Sequence, residues 1–274
     1  MTTDSTGEVV VGVDVGGPAK GFHAAAIDGA GYIGKFSSTN AVAVAQWCIS
    51  QGAQVVAVDA PCRWRAEGQS ARAAERQLAK ARISCFSTPT ENKARGHTFY
   101  TWMVAGAELY AALAPQFPLY DGLANRRPRC IETFPQAVAC ALAGRSVSAK
   151  QKLEVRSMLL AASGFEVSVF ENIDEIDAAL CALAARCFVR EDFIAYGDSE
   201  GGFIVAPKNS LPSAGRLTFP APVAQGKPGA LRKILAQLPL LSASEHKLLQ
   251  AAIATSTAPI SSHRTICTLP FKCG

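Results

Sequence analysis

The sequence predicts an α/β chain, and three observations carry that expectation. Short apolar runs rich in Val recur along the first 207 residues, and three of them end in a carboxylate. Glycines beside the first runs set hairpin spacing. Between later runs lie stretches with the apolar periodicity of helices, punctuated by Asn, Gly and Pro. The chain has 274 residues, 49% hydrophobic and 18% charged, enough for one large domain with an extension. Its formal net charge is +5. That permits a polyanionic partner but falls short of the strongly basic signature of a dedicated nucleic-acid binder.

The first run, Glu8-Val-Val-Val-Gly-Val-Asp14-Val-Gly-Gly17, reads as a buried strand, because four valines precede Asp14. A carboxylate inside so apolar a strand needs a partner, a proton or a metal. Runs at 22–28 and 32–36 follow at hairpin distance, so the chain opens as a three-strand meander. A helix is expected over 41–51, with Asn40 as N-cap and Gly52 beyond its end. The run 54–59 is a fourth strand that delivers Asp59 and is stopped by Pro61.

Residues 61–97 read as an elaborated loop, within an insertion spanning about 61–115. Helical character over 70–81 puts Arg72, Arg76 and Lys80 on one face. With Arg63, Arg65, Arg82, Lys93 and Arg95 nearby, two readings stand: a solvated helix face, or a basic lid that binds a phosphate-bearing substrate. A helix at 98–113 follows, then a basic cluster at 126–129 and a strand at 130–135 that carries Glu132. Helices are expected at 136–143 and 148–162. A further helix at 172–186 has Asn172 and Glu175 as a capping pair. There Asp177 leads the apolar row Leu180, Cys181, Ala184 and Phe188, so it points toward the sheet, with Asp174 one turn earlier. A last strand is expected at 201–207. Residues 208–274, rich in Pro, Ser and Leu, are an unassigned C-terminal extension with two weak helical stretches, 229–238 and 243–254.

Four carboxylates therefore occupy comparable places: Asp14, Asp59 and Glu132 at strand ends, and Asp177 with Asp174 on the first turns of a helix. Each alone has an ordinary reading as a turn or capping residue. Together they would repel unless a proton or a cation sits among them. Oxygen-only donors select Mg²⁺ or Mn²⁺, and two such ions suit a phosphodiester displacement. Other chemistries are poorly supported. His23, His97, His246 and His263 lack metal-ligand spacing. No GxSxG or GxxxxGK[ST] motif occurs. Cys62 has no neighbour in sequence that would activate it. Nine cysteines without a CxxC pair read as reduced thiols of a cytoplasmic protein. The polar N-terminus is not a signal peptide, and no apolar run approaches the ~20 residues of a membrane helix.

The ordered motifs Gly12-Val-Asp14, Val58-Asp59-Ala-Pro61, Arg72 with Glu75 and Arg76, Ser87-Thr-Pro89, Glu132-Thr-Phe-Pro135, Asp174-Glu-Ile-Asp177-Ala-Ala-Leu180, and Tyr196-Gly-Asp with Gly202-Phe-Ile-Val-Ala-Pro207 resemble one family. It is the family of ribonuclease H-like nucleases catalogued as domain of unknown function 429, and the likeness spans about residues 8–207. The resemblance implies a central mixed sheet of five or more strands with helices on both faces. It also implies a two-metal site (Mg²⁺ or Mn²⁺) at Asp14, Asp59, Asp174 and Asp177. Asp14, Asp59, Glu132 and Asp177 are the expected catalytic set, for hydrolysis of DNA or RNA. One rival is an actin-like or sugar-kinase-like phosphotransferase, with Asp14-Val-Gly-Gly17 as first phosphate loop and the glycines between 197 and 202 as second. Another is a non-catalytic nucleic-acid-binding module on the same fold. Oligomeric state is not legible.

Overall fold

The computed structural model describes residues 7–123 and 127–208. The C-terminal extension beyond Lys208, with its two expected helical stretches, lies outside the described residues, as does Arg126 of the basic cluster.

The chain opens with strands β1 (Val10–Val15), β2 (Phe22–Ile27) and β3 (Tyr32–Ser38), then helix α1 (Ala41–Ser50) and strand β4 (Val55–Asp59). The insertion supplies α2 (Ala73–Lys80), the short α3 (Glu91–Arg95) and α4 (Thr101–Leu113). Then come β5 (Arg129–Thr133), α5 (Pro135–Ala143), α6 (Lys152–Ala162), α7 (Ile173–Val189), β6 (Phe193–Asp198) and β7 (Gly202–Pro207). The strands form one seven-stranded sheet in the order β3-β2-β1-β4-β5-β7-β6. The meander β1–β2–β3 is antiparallel, as expected. β4, β5 and β7 run parallel to β1, and β6 returns antiparallel to β7. This is a mixed sheet of seven strands, in line with the expected five or more.

Most elements lie within a few residues of their expected bounds. Asn40 caps α1 through its side chain, accepting from the Val42 and Ala43 amides. Two differences have plain causes. β6 was not expected from the sequence because it is a half-exposed edge strand, whose mixed pattern lacks the apolar signal of its neighbours. The region between 197 and 202, considered above as a second phosphate loop, is the turn joining β6 to β7 in the same sheet. The turn leaves the kinase-like reading without its second phosphate strand among the described residues.

The pleat sorts the central strands onto two faces. Val11, Val13 and Val15 of β1 join Val56 and Val58 of β4 in a core with Val44 and Cys48 of α1 and Leu109 and Leu113 of α4. The alternate residues face α7. A Cβ on Gly12 would overlap the Ala178 carbonyl and the Ala182 amide of that helix, so helix and strand approach at backbone distance. The Ala-rich sequence of α7 allows this, since Ala178, Ala179, Ala182, Ala184 and Ala185 are fully buried without bulk. Among the described residues, no helix is long and apolar enough to cross a membrane.

Gly12→Ala is expected to lower unfolding free energy by about 1–3 kcal/mol or more through overpacking, measured by urea denaturation. Gly34→Ala, where an added Cβ would meet nothing, is the control and should stay within about 0.5 kcal/mol.

Candidate active site

Asp14 and Asp59 are register partners on the adjacent parallel strands β1 and β4. Their Cα atoms are therefore separated by about one inter-strand spacing, roughly 4.8 Å. Residues in register share a face, so both carboxylates stand on the α7 face, with Gly12 two residues before Asp14. α7 brings Asp177 from its first turns, 5% exposed, as the apolar row behind it requires. Asn172 starts the helix by accepting the Glu175 amide at 2.9 Å. The return arm of this cap goes one residue earlier than expected: Glu175 accepts from the Glu171 amide and from Lys35, each at 2.8 Å. Asp174, one turn before Asp177, is held at the rim by Lys20 Nζ at 2.8 and 3.1 Å.

Crowding of carboxylates in a dry place governs their protonation. Burial, then repulsion from Asp59, Asp177 and Asp174, raises the Asp14 carboxyl well above its ordinary value. Burial and Asp177 push Asp59 up to about 8, opposed by Arg156 and by a hydrogen bond with Asp14. Burial also raises Asp177, with Arg156 opposing. Burial and mutual repulsion thus bias both Asp14 and Asp59 toward their protonated forms.

Arg156 of α6 is the site residue that the sequence reading did not find. It is 6% exposed. Its Nη1 donates to Asp177 Oδ1 and its Nη2 to Gln136 Oε1 at 3.1 Å. Gln136 is fixed in turn, donating to the Val147 carbonyl at 2.7 Å. The Arg156 Nε has no partner. A signal was available: Arg156 leads Leu159 and Leu160 on the buried face of α6, as Asp177 leads its own row, and that placement separates it from a solvated charge.

Glu132 stands on the other face of the sheet, near enough to Asp59 to add to its repulsion. It pairs in register with Val58, not with Asp59, so the pleat turns it to the opposite face. There both its oxygens accept from Arg72, at 2.6 and 2.8 Å, and Oε2 also accepts the Cys62 amide at 2.9 Å. The convergence expected of Glu132 with the three aspartates is corrected accordingly: it faces the other way, and its oxygens are held in a buried ion pair. Arg72 is corrected with it. It is 2% exposed, sits before α2 as its N-cap, and donates Nε to Glu75 at 2.9 Å. Glu75 further accepts from the Thr88 amide and hydroxyl. Burial alone would raise Glu75, but Arg72 and Thr88 bring it below its ordinary value. This network ties the Arg72–Glu75 and Ser87-Thr-Pro89 motifs of the insertion to the end of β5. Only Arg76 and Lys80 of the expected basic face are exposed. Cys62 beside Glu132 is held as a thiol, since burial and that carboxylate push it well above its ordinary value, and a thiol is a poor nucleophile. The seven cysteines among the described residues are all free.

The donor chemistry at Asp14, Asp59 and Asp177 fits a hard divalent cation: oxygen atoms only, in excess of the local positive charge. Among the described residues, however, no three acidic, His or Cys side chains are gathered as a ready-made metal cluster. Asp177 is engaged by Arg156 and Asp174 by Lys20, which leaves Asp14 and Asp59 as the pair nearest to a cation seat.

A family model described as "Protein of unknown function (DUF429)" matches residues 12–200. Among solved structures, the chain is similar to Thermus thermophilus RuvC, with 16% identity and a TM-score of 0.36, covering 72% of this chain and 99% of that one. Among curated proteins nothing matches.

Two outcomes are expected. The folded chain keeps a proton on Asp59 that the unfolded chain releases above its ordinary value of 3.8. Stability from this group is therefore greatest at low pH and is lost as pH rises toward about 8. Thermal melts of the metal-free protein between pH 5 and 9 should show that decline, and Asp59→Asn should flatten it. Arg72→Met should cost about 3–5 kcal/mol, because it strands Glu132 and Glu75 uncompensated in the interior. Arg76→Met should cost less than about 0.5 kcal/mol in the same urea titration.

Proposed function

Starting from the chain's membership of the family of unknown function DUF429, whose model matches residues 12–200, we propose that it is a divalent-metal-dependent phosphodiesterase acting on nucleic acid. The observation that carries this reading is the in-register pair Asp14 and Asp59 on β1 and β4, with Asp177 of α7 near enough to raise both. Three crowded carboxylates, Asp14 and Asp177 buried and Asp59 half-buried, are costly unless they serve a cation or a proton.

In this reading Asp14 and Asp59 would hold Mg²⁺ or Mn²⁺, with Asp177 alongside and Asp174 at the rim. The cation, when bound, neutralises charge on the reacting phosphoryl group. The protein's own residues do the rest. Arg156 and Gln136 orient Asp177 from behind. Lys20, largely exposed beside Asp174, is placed to meet a backbone phosphate at the entrance. The apolar strands and α7 exclude bulk water, so each charge acts at low dielectric. Burial raises the Asp14 and Asp59 carboxyls, and cation binding requires them ionised. Metal affinity and activity therefore increase as pH rises toward about 8, the value to which Asp59 is pushed.

One observation favours a second reading, a non-catalytic binding module. The protein supplies its own cations, Arg156 to Asp177 and Lys20 to Asp174, which lowers the demand for a metal.

The two readings separate in a hydrolysis assay. End-labelled single- and double-stranded DNA and RNA are incubated with Mn²⁺ or Mg²⁺ and the wild type or Asp14→Asn. The phosphodiesterase reading expects cleavage that drops at least about 100-fold in the variant. Cleavage retained in Asp14→Asn, or no cleavage of any polymer, favours the binding module or removes the assignment.

A further inference from the structure

The insertion carries a row of rings that nothing in the fold uses. Phe86 is 67% exposed and Phe99 51%, while Phe22, Phe117, Phe165, Phe170 and Phe188 are buried. The exposed rings are ordered against one another. Phe86 meets Phe99 edge-to-face at 5.7 Å between centroids, Phe99 meets Tyr100 edge-to-face at 5.1 Å, and Tyr100 meets His97 at 5.5 Å. His97 Nδ1 accepts the Phe99 amide at 3.1 Å, which fixes its ring. At one end of the row Phe86 lines a small cavity of about 50 Å³ whose wall includes Asp59 and Trp102, together with Arg72, Glu75 and Glu132 of the closed ion-pair assembly. At the other end His97 lines an open groove of about 460 Å³ with Arg95, Thr98, Thr101 and Pro18, and Pro18 follows Asp14 by four residues. The row therefore begins and ends beside the strands that carry the two central carboxylates.

We propose that this row is a stacking platform for unpaired bases, so that the polymer presented to the carboxylate site is single-stranded or locally unpaired nucleic acid. Exposed aromatic faces bind bases of any identity when the rings lie in a basic setting. Residues 61–97 provide that setting: leaving out the buried Arg72 and Glu75, seven Arg and Lys stand against two Glu. Arg95 lines the groove itself, and Lys93 is exposed on the same short helix. Arg95 is paired with Glu91 across an exposed face, a pairing weak enough for a phosphate to compete. A duplex offers no free base faces to these rings, whereas an extended strand does. The proposal takes its choice of polymer from the phosphodiesterase reading, but its test does not depend on hydrolysis.

The test is fluorescence anisotropy of the full chain with labelled fifteen-nucleotide oligothymidylate and oligouridylate, and with a duplex of equal length, in EDTA. The wild type should bind the single strands more tightly than the duplex. Phe86→Ala/Phe99→Ala should weaken single-strand binding about tenfold or more, leave duplex binding unchanged, and leave the thermal midpoint unchanged because both rings are exposed. Phe86→Trp/Phe99→Trp should restore the affinity. Single-strand binding that survives the double Ala variant, an equal loss for duplex, or no binding by the wild type would overturn the proposal. Because no metal is present, failure here leaves the Asp14→Asn hydrolysis result to decide the catalytic reading on its own.

Discussion

The seating of α7 on β1 is the constraint on which the rest depends. Gly12 lets the helix backbone come within contact of the strand backbone, at Ala178 and Ala182. That approach fixes the height of the first turns of α7 above the sheet, and hence the position of Asp177 relative to Asp14, two residues along β1 from Gly12. The same seating shields the carboxylates from water. Their raised protonation and their need for positive charge both follow from that burial. A larger residue at position 12, or bulkier residues in place of the alanines of α7, would lift the helix and open the site.

The two faces of the sheet divide the charges into separate assemblies. On the α7 face, Asp14, Asp59 and Asp177 carry more negative charge than Arg156 balances. On the other, Arg72 is held between Glu132 and Glu75, with Thr88 and the Cys62 amide completing the hydrogen bonds. The second assembly is closed and satisfied, which suits a structural lock that anchors the insertion to β5. The first is unbalanced, which suits a site. Satisfaction of hydrogen bonds, more than burial or residue type, separates the two groups, since all the carboxylates and guanidinium groups but the half-buried Asp59 are nearly inaccessible.

Much of the fold was legible because the central strands announce themselves. The valines before Asp14 and the run ending at Asp59 leave little choice but buried strands, and the row behind Asp177 leaves little choice but a sheet-facing helix. Those three aspartates, with Glu132, thus read as neighbours from the sequence alone. Glu132 was misplaced because sequence gives the strand but not its register: pairing with Val58 rather than Asp59 reverses the face. Arg72, Arg76 and Lys80 share a helical spacing, yet α2 begins only after Arg72, so the first of them leaves the shared face and enters the core. Arg156 looked like one more surface charge because its two partners, Asp177 and Gln136, lie about 20 residues away in either direction and meet it only through tertiary packing. The aromatic row was invisible for a related reason, since Phe86 and Phe99 become neighbours only when the insertion folds.

The central claim is that Asp14, Asp59 and Asp177 form a cation site and not merely a set of carboxylates neutralised from within the protein. Calorimetric titration of Mn²⁺ into the wild type and into Asp14→Asn tests it most directly, at a pH near 8 where the pair can ionise. The account predicts saturable binding by the wild type that is lost in the variant while both proteins remain folded. Absence of binding by the wild type, or equal binding by both, would contradict it and assign Arg156 and Lys20 as the permanent counter-charges of a site that takes no metal.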